Sequence, residues 1–315
     1  MLIKSLFLPF LILFGGVSFA QRKERSIESP YLVVLGIAQD GGVPQAGSTY
    51  HPAWKNPNLK RHVVSLAVVD PISSQRWLIE ATPDFREQLN MLDEIFSVEE
   101  SPGLSGIFLT HAHMGHYTGL IYLGHESMGV KAVPVYVMPK MKTYLSTNGP
   151  WDQLVRYKNI ELRELNHNEQ VTLNARLKIR PFLVPHRQEY SEVVGYEIIG
   201  PNKKVLFIPD IDSWQEFDAM GQRIEDLIAS VDVAYLDGSF FADGEIPGRD
   251  MSGFPHPFIT ASMERFGSLS SEEKSKIRFI HLNHTNPALL GDSAARKKVI
   301  EHGFRVAEEQ ERVEL

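Results

Sequence analysis

The chain has 315 residues, 43% hydrophobic and 23% charged, with 39 acidic against 32 basic side chains and a formal net charge of −7. That apolar content is enough for one large core and rules out a disordered chain, and the basic residues, scattered except for short runs such as "RKER" and "ARKK", give no sign of a nucleic-acid surface. There is no cysteine, so disulfides and thiolate ligands are excluded and any metal must be held by His, Asp or Glu.

Residues 1–20, "MLIKSLFLPFLILFGGVSFA", read as a secretory signal peptide: one early lysine, an apolar run from Leu6 to Phe14, and the ending Ser18-Phe19-Ala20 that places cleavage after Ala20. A retained membrane anchor is the rival reading, but a span needs about 20 apolar residues, and this run is shorter and broken by Gly15-Gly16. A polar linker, 21–30, and one domain, 31–315, follow. The mature protein is therefore expected in the periplasm or secreted, with no membrane anchor.

"YLVVLGIA" (31 to 38) reads as a buried strand entering the turn "QDGGVPQAG", where Gly41 and Gly42 permit a close backbone approach. "VVSLAVVD" and "RWLIEA" are strands, and "FREQLNMLDEIF" (85 to 96) is a helix with Phe85, Leu89, Leu92 and Phe96 at helical spacing. Asp84 has two readings, a cap for that helix or a group that orients a ligand histidine. "SGIFLT" is a strand leading into "THAHMGHYTGL", where a helix begins.

Downstream, "VPVYVM" is a strand, "PKMKTYLSTNG" a helix ended by Gly149, and "RLKIRPFLVPH" a strand reaching His186. "VVGYEIIG" and "KVLFIPDID" form a hairpin pair, "EFDAMGQRIEDLIAS" is a helix, "VDVAYLDG" a strand, "PFITASMERFG" a helix and "IRFIHLN" a final core strand. Strands come in consecutive runs in each half, which favours two packed sheets with helices outside over a doubly wound sheet.

His111 and His113 lie two apart at a strand end, so both imidazoles can aim at one point, and His116 can approach it from the side. Zinc accepts neutral imidazole nitrogen at about 2.0 to 2.1 Å and typically takes four ligands. Three histidines in one loop outweigh the bland reading of surface imidazoles. His186, His281, His284 and Asp210 also sit at or just beyond strand ends, where a scaffold holds a ligand rigidly. His51, His62, His125, His167 and His302 lack such a setting and read as ordinary polar residues.

The order of these residues resembles the metallo-β-lactamase superfamily, whose pattern is His-x-His-x-Asp-His, then an isolated His, a bridging Asp and a last His. The resemblance implies an αββα sandwich with a metal cleft at one edge of the sheets, and metal ligands His111, His113, His116, His186, Asp210 and His281. Asp212 competes with Asp210 as the metal-site acid. The Asp before the last His of the motif is Gly115 here, so one firmly bound ion is expected, most readily zinc, and a second that is weaker or absent; His284 is either an extra ligand or a hydrogen-bonding group. A narrower similarity, to the pyrroloquinoline quinone biosynthesis protein B family, is carried by "LGIAQDGGVPQAG", "ATPDFREQL", "YLDGSFFADGEIPGRDM", "HLNHTNPAL" and "HGFRVAEEQERVEL". The chain lacks the cysteines of that family's glycine-rich turn and keeps metal-site histidines that the family partly replaces, so it reads as a relative with a restored metal site.

The expected function is hydrolysis of an ester, lactone, amide or phosphodiester bond in a small molecule, since a divalent cation lowers the pKa of bound water from about 15.7 toward 7. Asp210 is expected to orient that water or bridge a second ion, and His281 or His284 to donate to the oxyanion or leaving group. Arg249 and His256, in the long segment "FADGEIPGRDMSGFPHP", and Asp237 are candidate substrate contacts, with Asp237 and Ser239 alternatively a turn built on Asp-Gly. Two other readings stay open: a non-haem iron oxygenase, since three His and one Asp also suit iron, and a non-catalytic relative that keeps the metal.

Overall fold

The strand expected at residues 31 to 38 forms as β1 (Tyr31–Gly36), buried along its whole length. Alternation sends Leu32 and Val34 into one apolar cluster and Tyr31, Val33 and Leu35 into another, so both faces are covered. The computed structural model describes residues 29–99 and 101–315; the expected signal peptide and most of the linker lie outside them.

In chain order the further strands are β2 (Ser65–Asp70), β3 (Gln75–Ile79), β4 (Gly106–Phe108), β5 (Val133–Val137), β6 (Ile160–Glu164), β7 (Val171–Thr172), β8 (Lys178–Leu183), β9 (Val194–Ile199), β10 (Lys204–Ile208), β11 (Val233–Asp237), β12 (Ile277–Ile280), β13 (Arg305–Val306) and β14 (Arg312–Glu314). They make two seven-stranded sheets, ordered β14-β1-β2-β3-β4-β5-β6 and β13-β12-β11-β10-β9-β8-β7. Each sheet is antiparallel at one side and parallel at the other: β3 to β6 and β10 to β13 run parallel. β9 and β10 pair antiparallel, as the hairpin reading expects.

The helices are α1 (Phe85–Ile95), α2 (Met114–Tyr117), α3 (Pro139–Thr147), α4 (Trp151–Arg156), α5 (Trp214–Ala219), α6 (Ile224–Ser230), α7 (Ile259–Arg265), α8 (Ser271–Lys276) and α9 (Ala294–Glu301). Phe85, Leu89 and Leu92 of α1, Met141 and Leu145 of α3 and Leu154 of α4 pack on the outer face of the first sheet. Trp214, Phe217, Ile224, Ile228, Ile259 and Met263 cover the second. The layers are helix, sheet, sheet, helix, the αββα sandwich that the sequence led us to expect. No helix among the described residues is long and apolar enough to cross a membrane.

Several local expectations are corrected. The helix read over 216–230 is two, broken at Gly221, whose φ of +77° ends α5. The helix before Gly149 stops at Thr147, with Asn148 extended as its cap. Asp84 occupies the N-cap position of α1 without a side-chain cap bond and touches no site histidine: its Oδ2 accepts from the backbone N–H of Val63 at 2.8 Å. The segments forming α4, β6, β7, α8, α9, β13 and β14 carry no clear element signal in the sequence, since most are short or half-exposed with little periodicity.

Two ties bring strand ends from both sheets together. Beyond β4, Tyr196 of β9 donates from its hydroxyl to the Leu109 carbonyl at 2.5 Å, and the Val194 N–H donates to the Thr110 carbonyl at 3.2 Å. Beyond β1, Ala38 bridges to both Val63 and Leu282, with Gln39 N–H on the Leu282 carbonyl at 2.9 Å and Leu282 N–H on the Ile37 carbonyl at 2.8 Å. The first fixes the start of the histidine cluster against the second sheet. The second fixes the turn after β1 against the residue following His281.

Candidate metal centre

Each histidine of the site turns one nitrogen inward; the other lies within hydrogen-bonding distance of a polar partner in His111, His113, His186 and His281, and faces a carboxylate in His116. His111 follows the short continuation of β4, with Nδ1 2.8 Å from Thr110 Oγ1. His113, at the start of α2, faces His186 through Nδ1 while its Nε2 lies 3.0 Å from Glu189 Oε2. His116 lies within α2 with Nδ1 3.3 Å from Glu80 Oε1. His186, just past β8, has Nδ1 held by Asp212 Oδ1 at 2.7 Å and Nε2 3.3 Å from His113 Nδ1. His281 closes β12 with Nδ1 2.9 Å from Ser239 Oγ. A partner on the outer nitrogen fixes ring orientation and leaves the inner one available, the usual arrangement of metal-bound imidazoles.

Asp210, beyond β10, lies between these rings. Its Oδ2 stands 3.1 Å from His116 Nε2, 3.3 Å from His281 Nε2 and 4.0 Å from His111 Nε2, while its Oδ1 is 3.7 Å from His186 Nε2. Asp40, from the turn after β1, brings Oδ1 to 3.3 Å from His116 Nε2. Two donors bound at about 2.1 Å to one tetrahedral cation stand roughly 3.4 Å apart, so these separations suit shared coordination. Hydrogen bonding does not account for them: His111 Nε2, His116 Nε2, His281 Nε2, Asp210 Oδ2 and Asp40 Oδ1 are all buried without a hydrogen-bond partner. Buried polar atoms left unpartnered are costly, and a cation meeting all of them removes that cost. The all-nitrogen-and-oxygen donor set suits zinc and other divalent metals of similar chemistry.

The electrostatics agree. Burial opposes ionisation of Asp210, yet the electrostatic pull of the imidazoles around it, His281 and His116 foremost, outweighs burial and holds the carboxyl well below its ordinary range. Asp40 behaves alike, its burial overcome by the hydrogen-bonding and charge interactions of His116, and falls to about 2. Burial lowers His111, His113 and His281, keeping them neutral as ligation requires. His116 is the exception: burial opposes its proton, but the charges of Glu80 and Asp210 raise it well above 6.5. The carboxylates around His116 call for a positive charge, which a proton supplies when no cation does.

His281 at φ +63° and Glu80 at φ +78° both hold the left-handed backbone conformation, uncommon outside glycine. Both serve the cluster, one as a ring inside it and one as the carboxylate behind His116, and such strain is kept where the surrounding structure demands it.

The six residues read from sequence as metal ligands, His111, His113, His116, His186, Asp210 and His281, are thus brought together. Three other expectations are corrected. His284, expected to act in catalysis, points away into a cavity of about 650 Å³ lined also by Val43, Tyr50, His51, Leu59 and Leu289, with His51 Nε2 donating to its carbonyl at 3.1 Å. Arg249, expected to contact substrate, is exposed and stacked over Phe254 at 5.3 Å; Phe254 packs on Phe240, and Phe240 on His256. Asp237, another expected substrate contact, is fully buried and spends both oxygens on Ile211 N–H, Ser239 and His256, so it positions neighbours. His256 leaves its loop for the cluster, with Nδ1 2.7 Å from Asp237 Oδ2 and 3.9 Å from Asp210 Oδ1.

Glu80, Asp212, Ser239, Glu189 and Asp40 complete the surroundings. Of these the sequence singles out only Asp212 and Ser239, and neither as a histidine partner; at Asp40 the adjacent glycines carry the stronger local signal. Its signal was available: a carboxylate at a strand end, the setting that marks Asp210.

Residues 75–270 match the model of the beta-lactamase superfamily domain. The chain belongs to that superfamily. Among its relatives is coenzyme PQQ synthesis protein B of Methylorubrum extorquens strain PA1, 25% identical over 309 residues that cover 88% of this chain and 97% of that protein. Among solved structures, zinc-bound PqqB from Methylobacterium extorquens superimposes with a TM-score of 0.73 at 24% identity, covering 90% of this chain and 100% of that one. A diphosphatase of the PhnP family superimposes with a TM-score of 0.65 at 21% identity, covering 91% and 97%. These structural likenesses establish the shared fold, and the superfamily member is PqqB-like in sequence along nearly its whole described length.

Proposed function

We propose that this chain is a zinc-dependent hydrolase that acts on an ester, lactone, amide or phosphodiester bond of a small molecule. One observation carries the reading: buried ligand atoms without hydrogen-bond partners, brought by four separate segments (Asp40, the His111 to His116 cluster, Asp210 and His281), converge at coordination spacing. The solved relatives add support by their printed descriptions, one binding zinc and another being a diphosphatase. His111, His113 and His186 would hold the cation, with Asp210 beside them. Such a cation supplies Lewis acidity and lowers the pKa of water toward about 7.

The residues of the chain do the rest. Asp210 accepts hydrogen bonds from the attacking water and fixes its approach. His256 is the proton donor: burial disfavours its charge, but Asp237 outweighs burial and raises it to about 8, so it carries a proton at neutral pH. Its ring is fixed by the 2.7 Å contact to Asp237. His281, lowered by burial, with Nδ1 on Ser239 and Nε2 turned toward Asp210, suits ligation better than proton donation.

Elemental analysis of the purified chain, paired with turnover on ester, lactone, amide and phosphodiester panels without oxygen, tests the reading. Stoichiometric zinc with turnover supports it. Stoichiometric iron with oxygen uptake, or metal-replete protein inert across the panels, overturns it. Export is part of the proposal and rests on the N-terminal pattern; mature protein beginning at Gln21 in an extracytoplasmic fraction is the expected result, and intact Met1 in the cytosol the contrary one.

A further inference from the structure

The superfamily motif places a carboxylate at the position of Gly115, and its loss leaves the second cation of such a centre one ligand short. The structure shows what fills that space. A Cβ built on Gly115 would lie 2.3 Å from Asp40 Oδ1 and 2.6 Å from Asp40 Cα. The carboxylate absent from α2 is replaced in space by one arriving from the turn after β1. We propose that Asp40 is the carboxylate ligand of a second divalent cation, held with His116 and His281, so that Asp210 bridges a two-metal centre. This inference rests on the metal-centre reading above and adds a ligand to it.

Three observations support the assignment. The ligand atoms of Asp40, His116 and His281 lie within 4.8 Å of one another, as do those of His111, His113 and His186. Asp210 offers Oδ2 to the first group, at 3.1 Å from His116 and 3.3 Å from His281, and Oδ1 to the second, at 3.7 Å from His186. Asp40 Oδ1 is buried with no hydrogen-bond partner although it stands 3.3 Å from His116 Nε2. Metal sites need ligands held in place before the ion arrives, and here the neighbours do so: Gln39 N–H is on the Leu282 carbonyl at 2.9 Å, Asn283 donates to Gln39 Oε1 at 2.5 Å, and Gly42 N–H closes the turn on the Gln39 carbonyl at 2.8 Å. Gly42 takes φ +70°, which lets that turn fold tightly against the site. Asp40 is thereby tied to the segment that carries His281.

Glycine at 115 and aspartate at 40 are therefore one device. A side chain at 115 would meet the backbone of residue 40 as well as its carboxylate, so adding Asp at 115 would displace the turn rather than add a ligand. An Asp introduced there would therefore not restore the second ion.

The test is metal content by mass spectrometry after dialysis against micromolar zinc, together with Co²⁺ or Mn²⁺ loading and electron paramagnetic resonance, in which two ions bridged by one carboxylate show spin coupling. Wild-type protein is expected to hold two ions per chain with coupled spectra. Asp40→Asn is expected to hold one and lose the coupling, and Gly115→Ala, which alters no donor atom, to do the same by pushing Asp40 aside. His113→Ala removes the other ion. Circular dichroism identifies any variant that fails to fold; Asp40→Asn, close in shape to the native residue, keeps the test open if Gly115→Ala does not fold. Wild-type protein with one ion, or two coupled ions retained in folded Asp40→Asn, overturns the inference while leaving the metal reading intact. Wild-type protein with no ion overturns both.

Discussion

Asp212 offers a direct way to weigh how the chain prepares a ligand. Its Oδ1 holds His186 Nδ1 at 2.7 Å; the His186 side chain is 0% exposed and that of Asp212 25%. Among the described residues Asp212 is the hydrogen-bond partner of His186 Nδ1 and so sets which nitrogen faces His113. A hydrogen bond to a charged group contributes about 1.5 to 3 kcal/mol, and ionised partners make it roughly twice as strong as a neutral one. The partial exposure of Asp212 argues for the lower end. Asp212→Asn, which keeps the shape and removes the charge, should therefore weaken cation binding about tenfold, since about 1.4 kcal/mol is a factor of ten. Asp212→Ala, which also releases the ring, should approach 100-fold, the upper range for loss of such partners. Competition with a chromophoric chelator measures both affinities, and apo-protein unfolding run alongside separates metal loss from misfolding. Unchanged affinity in folded Asp212→Ala would show that His186 is oriented by other means and refute the reasoning.

Removing the metal with a chelator should destabilise the protein: a ligand at 100 times its Kd adds about 2.7 kcal/mol, which for a chain this large is roughly 5 to 10 °C in melting temperature. Equal melting temperatures with and without chelator would contradict the metal centre. Arg249→Ala should leave kcat/KM within about twofold, because Arg249 is exposed on Phe254, whereas His256→Gln should lower kcat at least 100-fold through loss of the proton donor; the reverse ranking in steady-state assays would return Arg249 to the site. His62 is raised above 6.5 chiefly by its hydrogen bond to Glu309. A raised folded pKa gives stability that is complete below 6.5 and fades as pH rises through the folded value. Glu309→Gln should thus cost up to about 1 kcal/mol more at pH 6 than at pH 9, read from urea midpoints; a cost that does not fall with pH would rule out the ionic contribution.

The sequence by itself determined the layers and most of the candidate ligands. Continuous apolar runs such as "YLVVLG" have no polar face to give to solvent, so they must be covered on both sides, and covering them builds sheets with helices outside. His111, His113 and His116 declare themselves because they are near in sequence, and His186, Asp210 and His281 because each ends an apolar run. What only the tertiary structure decided is which side chains share space across long separations. Asp40 meets His116 and the vacancy above Gly115 because Ala38 and Gln39 pair with Leu282, a tie between residues more than 240 positions apart that no local pattern records. His284 and Arg249 fail for the same reason. Periodicity tells on which element a residue lies, but the direction of a side chain in an irregular segment is set by packing, which turns His284 toward His51 and Arg249 onto Phe254.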